Sequence, residues 1–317
     1  MTNNENYWFM LQFKLKLYQA TGEEFQRLFN SVMTASHGEN YQSVRPWGIE
    51  GDGGNDGYLA NEGRYFQVYA PSPTTKTNEA YAVKKAKDDF HKLKESQSNL
   101  KHYSFVLNDR FVGGSKPVHQ ALTEISNTHN IPTSVFNSGH LEQRFLGLDN
   151  NQKMSIVQGV PLEVPKWIDP RMVSELLEYL TKSFNFSLNL MTDQDTAPEF
   201  EKKIQINNLH PGISKHLRLY ANQVGEVNAF LNARPGMAQN IADELHEVYI
   251  DSLSAIPNTE KSATDLRFVY ILERIIPPVV KIDPMQRSGW QQIALIVMAK
   301  YFETCDIYEH PDSTYST

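Results

Sequence analysis

Phe25, Leu28, Phe29, Val32 and Met33 recur at spacings of three and four through "ATGEEFQRLFNSVMTASHG". That period predicts a helix, with Thr21 as its N-cap and Gly38 as its stop. The segment before it, "MLQFKLKLY", is amphipathic. After it the period changes to two. Phe66, Val68 and Ala70 alternate with Tyr65, Gln67 and Tyr69, as the two faces of a strand do, and a shorter extended segment surrounds Asp56, Gly57, Tyr58 and Leu59. The Phe66 face is expected to pack on a core and the Gln67 face to look toward Asp56.

Helical spacing returns in "NEAYAVKKAKDDFHKLKES", where Val83, Ala86, Phe90 and Leu93 form the apolar stripe. "HYSFVLND" then reads as a strand, "PVHQALTEISNTH" as a helix opened by Pro117, "IPTSVFN" as a strand and "HLEQRFLGL" as a short helix. The alternation predicts an α/β domain with a mixed sheet over residues 1–158. "GVPLEVPKWIDP" (159–170) reads as a linker. Beyond it only helical stripes recur: Val173, Leu176, Leu177 and Leu180; Ile213, Leu217, Val224 and Val227; Ile241, Leu245 and Val248; Trp290, Ile293, Val297 and Tyr301. Pro211 and Pro235 fit helix starts and Ser288 fits an N-cap, so residues 171–317 are expected to form an all-α domain.

With 317 residues, 40% of them hydrophobic and 21% charged, the chain has the composition of an ordinary globular protein. The longest strongly apolar run, Ile293 to Ala299, is far short of the roughly 20 residues a membrane span needs, and "MTNNENYWFML" lacks the basic start of a signal peptide. A cytoplasmic protein is expected. Cys305 is the single cysteine, which excludes an internal disulfide and a multi-cysteine zinc site. Lys and Arg balance Asp and Glu at 16 each up to residue 160, against 14 and 21 beyond it, so the acidity lies in the second half. A neutral first half remains compatible with a local basic groove.

The chemistry is concentrated in "GDGGNDGY" and "FQVYAP". Hydrolysis of a phosphodiester with bound Mg²⁺ requires hard oxygen ligands on a rigid edge, and Asp56 on one strand facing Gln67 on the next supplies a carboxylate and an amide oxygen. Asp next to Gly is also an ordinary turn signal; the order of the motifs, with "TGEEFQRLF" before them, is what lifts the nuclease reading above a turn. "GGSKP" lacks Walker spacing, the histidines are scattered, and "CDIYEH" has no upstream partner to complete a metal site.

In these motifs the sequence resembles the PD-(D/E)XK, or restriction-endonuclease-like, nucleases of the Mrr type. The run "VRPWGIEGDGGNDGYLANEGRYFQVYAP" is similar to the nuclease effector of Lamassu and other ABC-three-component antiphage systems. "KKIQINNLHPGI" and "YFETCDIYEHP" resemble the helical C-terminal domain of such proteins. The resemblance implies a Mg²⁺- or Mn²⁺-dependent DNA endonuclease with Asp56 and Gln67 as metal ligands. It also implies partners: an SMC-like ABC ATPase, a small middle subunit, and further copies of the chain on activation.

Two positions depart from that pattern. The motif lysine falls at Tyr69, which leaves Lys84, Lys85 or Lys76 to supply the positive charge, and the helix glutamate falls at Gln26, with Glu23 and Glu24 within a turn. Asp52, Lys76 and Lys87 are candidates for contact with DNA, although the lysine run is interrupted by acids as a solvated face would be. The missing lysine also fits another protein class, a DNA-binding or scaffold subunit that keeps the nuclease fold without its chemistry.

Overall fold

A computed structural model of the chain describes residues 3–44, 54–72, 79–161, 167–182, 200–234, 236–281, 283–304 and 307–308. Its contacts divide the chain into two units, one of residues 16–156 and one of residues 1–15 together with 157–317.

The first unit is built on a five-stranded mixed sheet in the order β1 (Tyr41–Ser43), β2 (Gly57–Leu59), β3 (Arg64–Tyr69), β4 (His102–Leu107), β5 (Thr133–Asn137). β1, β2 and β3 pair antiparallel, β2 and β3 through a short connection, whereas β3, β4 and β5 run parallel. Parallel neighbours need a crossover, which α3 (Glu79–Ser96) and α4 (Lys116–His129) provide. The helix read from Phe25 and its stripe is α2 (Gly22–His37), bounded by Thr21 and by Gly38 at φ 54°. α5 (Ser138–Leu146) follows β5, and α6 (Asn150–Val157), absent from the sequence reading, ends the unit.

β3 is a central strand covered on both sides, so the expected division into one core face and one site face does not hold. Tyr65 joins Ala86, Phe90 and Leu93 of α3, Tyr103 and Phe105 of β4 and Leu122 of α4 in one apolar cluster. On the other face Phe66 meets Phe29 of α2, Tyr41 and Phe136. Aromatic edges and faces at centroid separations of 5.4–6.3 Å suit the ring quadrupole, which favours tilted and T-shaped pairs over flat stacks.

The second unit is helical. It contains the first residues of α1 (Asn3–Gln19), then α7 (Pro170–Lys182), α8 (Phe200–Ile206), α9 (Pro211–Ala221), α10 (Gly225–Asn232), α11 (Met237–Ala255), α12 (Ala263–Ile275) and α13 (Pro284–Thr304). Pro211 opens α9 as expected, with His210 accepting from the Gly212 N–H. Two local expectations fail. α13 begins at Pro284, so Ser288 lies inside the helix, and the stripe from Ile213 to Val227 is broken into α9 and α10 with Val224 at the N-cap of the second. Pro235 lies outside the described residues.

A buried polar cluster ties this unit together. Glu273 of α12 accepts from Gln12 of α1 at 2.9 Å, from Gln291 of α13 at 2.7 Å and from the Arg287 guanidinium at 2.7 Å. Burial opposes its ionisation, yet Arg287 and the amide donors hold its carboxyl below the usual range. Arg287 in turn donates to the carbonyl of Val157 at 2.7 Å. No helix among the described residues is long and apolar enough to cross a membrane.

Candidate active site

Gly54 and Gly57 explain the glycines around Asp56. Gly54 has φ +82°, and a Cβ there would stand 2.3 Å from the carbonyl oxygen of Asp89 on α3. At Gly57 a Cβ would stand 2.2 Å from the Tyr41 hydroxyl, which itself donates to Asn30 of α2 at 2.5 Å. Both close approaches fix the residues between them. Asp56 is further held through its backbone, which donates to Phe66 and accepts from Val44.

The Asp56 carboxylate therefore has a defined direction. Oδ1 accepts from Gln26 Nε2 of α2 at 2.6 Å, and Oδ2 accepts from the Val68 N–H of β3 at 2.7 Å. That N–H belongs to the peptide joining Gln67 to Val68, so the carboxylate and Gln67 are neighbours on the strand. Asp56 is 6% exposed and Gln67 2%. Among the described residues the Gln67 side-chain carbonyl oxygen, Oε1, has no hydrogen-bond partner. Leaving such an acceptor buried and unmatched costs about 1–3 kcal/mol, and a cation or a donor brought to it would recover that.

The residue types suit Mg²⁺ or Mn²⁺. A carboxylate offers charged hard oxygens, and Gln67 Oε1 adds a neutral one. One carboxylate with water and substrate phosphate is a normal Mg²⁺ environment. Among the described residues no group of three or more His, Cys, Asp and Glu converges, so the donor set is a carboxylate with amides, unlike a histidine or cysteine zinc centre.

Two buried phenols sense the Asp56 charge. Tyr41 is raised above its ordinary value by burial first and by Asp56 second; Tyr103 is raised by burial, then by Asp89 and Asp56. Both remain protonated at neutral pH. Sequence spacing gave no sign of them, nor of the Val68 N–H, because a backbone donor has no side-chain signature.

The remaining candidates fall in different surroundings. Tyr69 stacks on Phe105 at 6.0 Å and is flanked by Tyr81. Burial raises its phenol, Tyr81 adds to that, and the charge of Lys85 works against both, which places Lys85 within electrostatic reach of Tyr69. Lys85 Nζ also donates to Asp89 at 2.8 Å. Lys84 is exposed on α3, and Lys87 pairs with Glu124 of α4 at 2.7 Å. Gln26 reaches Asp56, whereas Glu24 is exposed on α2 and Glu23 forms a surface pair with Arg27 at 3.3 Å. Asp52 and Lys76 lie outside the described residues.

Residues 175–309 match the family model of C-terminal domain 10 of the ABC-three component (ABC-3C) systems. No curated protein and no solved structure matches the chain.

Proposed function

We propose, on the premise that residues 175–309 form an ABC-3C C-terminal domain, that the chain is the metal-dependent DNA endonuclease effector of an ABC-3C antiphage assembly. The helical unit would bind the other components, an SMC-like ABC ATPase and a small middle subunit, which restrain the sheet unit until foreign DNA is sensed. Restraint is physically required of a nuclease that shares a compartment with its own chromosome.

Asp56 carries the proposal: its carboxylate is aimed by Gln26 and the Val68 N–H beside the unmatched Gln67 oxygen. Asp56 and Gln67 would hold Mg²⁺ or Mn²⁺. The chemistry supplied by the bound cation is polarisation of the scissile phosphate and activation of water at neutral pH. Gln26 donates to Asp56 Oδ1 and so fixes the direction of the carboxylate. Lys85, and Lys84 beside it on α3, would offset negative charge developing on the phosphate in place of the lysine absent at Tyr69. Asp52, Lys76 and Lys87 remain candidates for DNA contact.

Tyr69 favours the second reading, a DNA-binding or scaffold subunit with a retired centre, because a stacked neutral phenol supplies no charge to a phosphate. Plasmid cleavage with Mg²⁺ or Mn²⁺, by the chain alone and with its ABC-3C partners, separates the two. Cleavage that disappears in a folded Asp56→Ala protein supports the nuclease. Intact DNA binding with no cleavage in any assembly makes the chain a scaffold.

A further inference from the structure

A second concave site lies toward the other end of β3. It is an open concavity of about 420 Å³ lined by Arg64, Ser134, Phe136, His140, Gln143 and Arg144. Arg64 opens β3 and Val68, whose N–H binds Asp56, lies four residues on, so the two sites are separated by roughly 13 Å along the strand.

The arginines are held by neutral groups. Arg64 donates from Nε to Ser104 Oγ at 2.9 Å and from Nη2 to Ser134 Oγ at 3.3 Å, with its guanidinium 5.3 Å from the centre of the Phe66 ring. Arg144 donates to His37 Nε2 at 2.8 Å. Neither forms an ion pair with a described residue. The carboxylate whose charge reaches Arg64 is that of Glu62, which is exposed. Arg64 is half-buried, and burial followed by Arg144 depresses its charged form despite Glu62. His37 and His102, on the rim of this cluster, are likewise lowered first by burial and then by Arg144 and Arg64 respectively.

Excess positive charge gathered around a cavity, and supported by hydroxyls, imidazole and a ring instead of carboxylates, is an acceptor for an anion. His140 adds a directed donor. Its Nδ1 accepts from the Asn137 N–H at 3.1 Å, which leaves the proton on Nε2. Ser134 Oγ is already bonded to Arg64, His102 and Ser104, so the groups for a ligand are the Arg144 guanidinium, the remaining N–H groups of Arg64 and the His140 imidazole N–H. These match the several oxygens of a phosphate better than the two of a carboxylate. A volume of 420 Å³ exceeds what inorganic phosphate fills and falls in the range of small-ligand pockets.

We propose that this cavity binds a phosphate group carried by a nucleotide, either free or within a nucleic-acid strand, with Arg64 and Arg144 as the charged contacts. It is a site separate from Asp56 and needs no metal. Calorimetric titration of the full chain in EDTA, with adenosine monophosphate and with a short single-stranded oligodeoxynucleotide, tests it. Arg144 is exposed, so Arg144→Gln should leave the fold intact; Arg64→Gln, with its melting temperature checked, is the second variant. We expect at least one probe to bind and to weaken about tenfold or more in Arg144→Gln, and likewise in Arg64→Gln, while Asp56→Asn binds as the parent does. Binding of the mononucleotide identifies a free nucleotide as ligand; binding of the oligonucleotide alone identifies a strand. Absence of binding by both probes, or equal affinity in the parent and Arg144→Gln, overturns the proposal.

Discussion

Gln26 Nε2 stands 2.6 Å from Asp56 Oδ1, joining α2 to the residue just before β2 across thirty positions of sequence. An amide in this position donates to the carboxylate; a glutamate would repel it. We therefore expect Gln26→Glu to destabilise the metal-free protein by about 1–3 kcal/mol, since the donor is lost and a like charge is added. Divalent cation should reverse the effect. Thermal melts with and without Mg²⁺ would show a larger metal-dependent gain in Gln26→Glu than in the parent, and equal gains would exclude Asp56 as a ligand.

Lys85 and Tyr69 make a second testable pair. If Lys85 offsets charge on the phosphate, Lys85→Ala should lower the cleavage rate by a factor on the order of 10²–10³, whereas Lys84→Ala, at an exposed position, should cost much less. Tyr69→Lys in the Lys85→Ala background should restore part of the rate. Single-turnover cleavage of a plasmid by the assembled complex measures all three.

Gly57 and Tyr41 are expected to be coupled. Gly57→Ala forces a methyl group against the Tyr41 hydroxyl and should destabilise by about 1–3 kcal/mol. Removing that hydroxyl in Tyr41→Phe relieves the closest contact, at the expense of the bond to Asn30. Urea unfolding of the two single variants and the double variant should give a combined loss smaller than the sum of the separate losses.

Glu273 predicts the acid response of the helical unit. Its folded carboxyl ionises at lower pH than the unfolded one, so its contribution is complete above the unfolded value and disappears as pH falls through the folded value. Glu260, opposed by burial but held low by Lys14 and Ser262, acts in the same direction. The urea midpoint should fall between about pH 5 and pH 3. Glu273→Gln should flatten that dependence and, by leaving the Arg287 charge buried without its counterion, cost about 3–5 kcal/mol at neutral pH.

Elements with a one-sided apolar period were legible in the sequence. α2 could be read from Phe25 to Met33, and α7 from Val173 to Leu180, because each buries one apolar stripe and leaves the opposite side more exposed. α12 was missed because Leu266, Arg267, Phe268, Val269, Ile271, Leu272 and Glu273 are all buried, and a helix enclosed on every side has no stripe. α1 is similar: Trp8, Phe9, Leu11, Phe13, Leu15 and Leu17 alternate almost as a strand would, yet they lie in a helix covered on most sides. At the candidate site, the Asp56 and Gln67 positions could be read from motif order. The contact of Gln26 with Asp56 and the anion cavity at Arg64 could not, since both depend on which residues the sheet register and α5 bring together.

Gln12 finds Glu273 across 261 positions, and the division of contacts gives residues 1–15 to the helical unit while 16–156 form the sheet unit. In topology the sheet unit is an insertion within the helical one. On the ribosome, the sheet unit has all its residues once position 156 has emerged, while the first half of α1 still awaits partners encoded more than a hundred codons later. The domain that matches the ABC-3C family cannot reach its final packing until α13 has emerged, so the residues of the segment bearing Asp56 are all present before the surface that would place it under the control of other subunits exists.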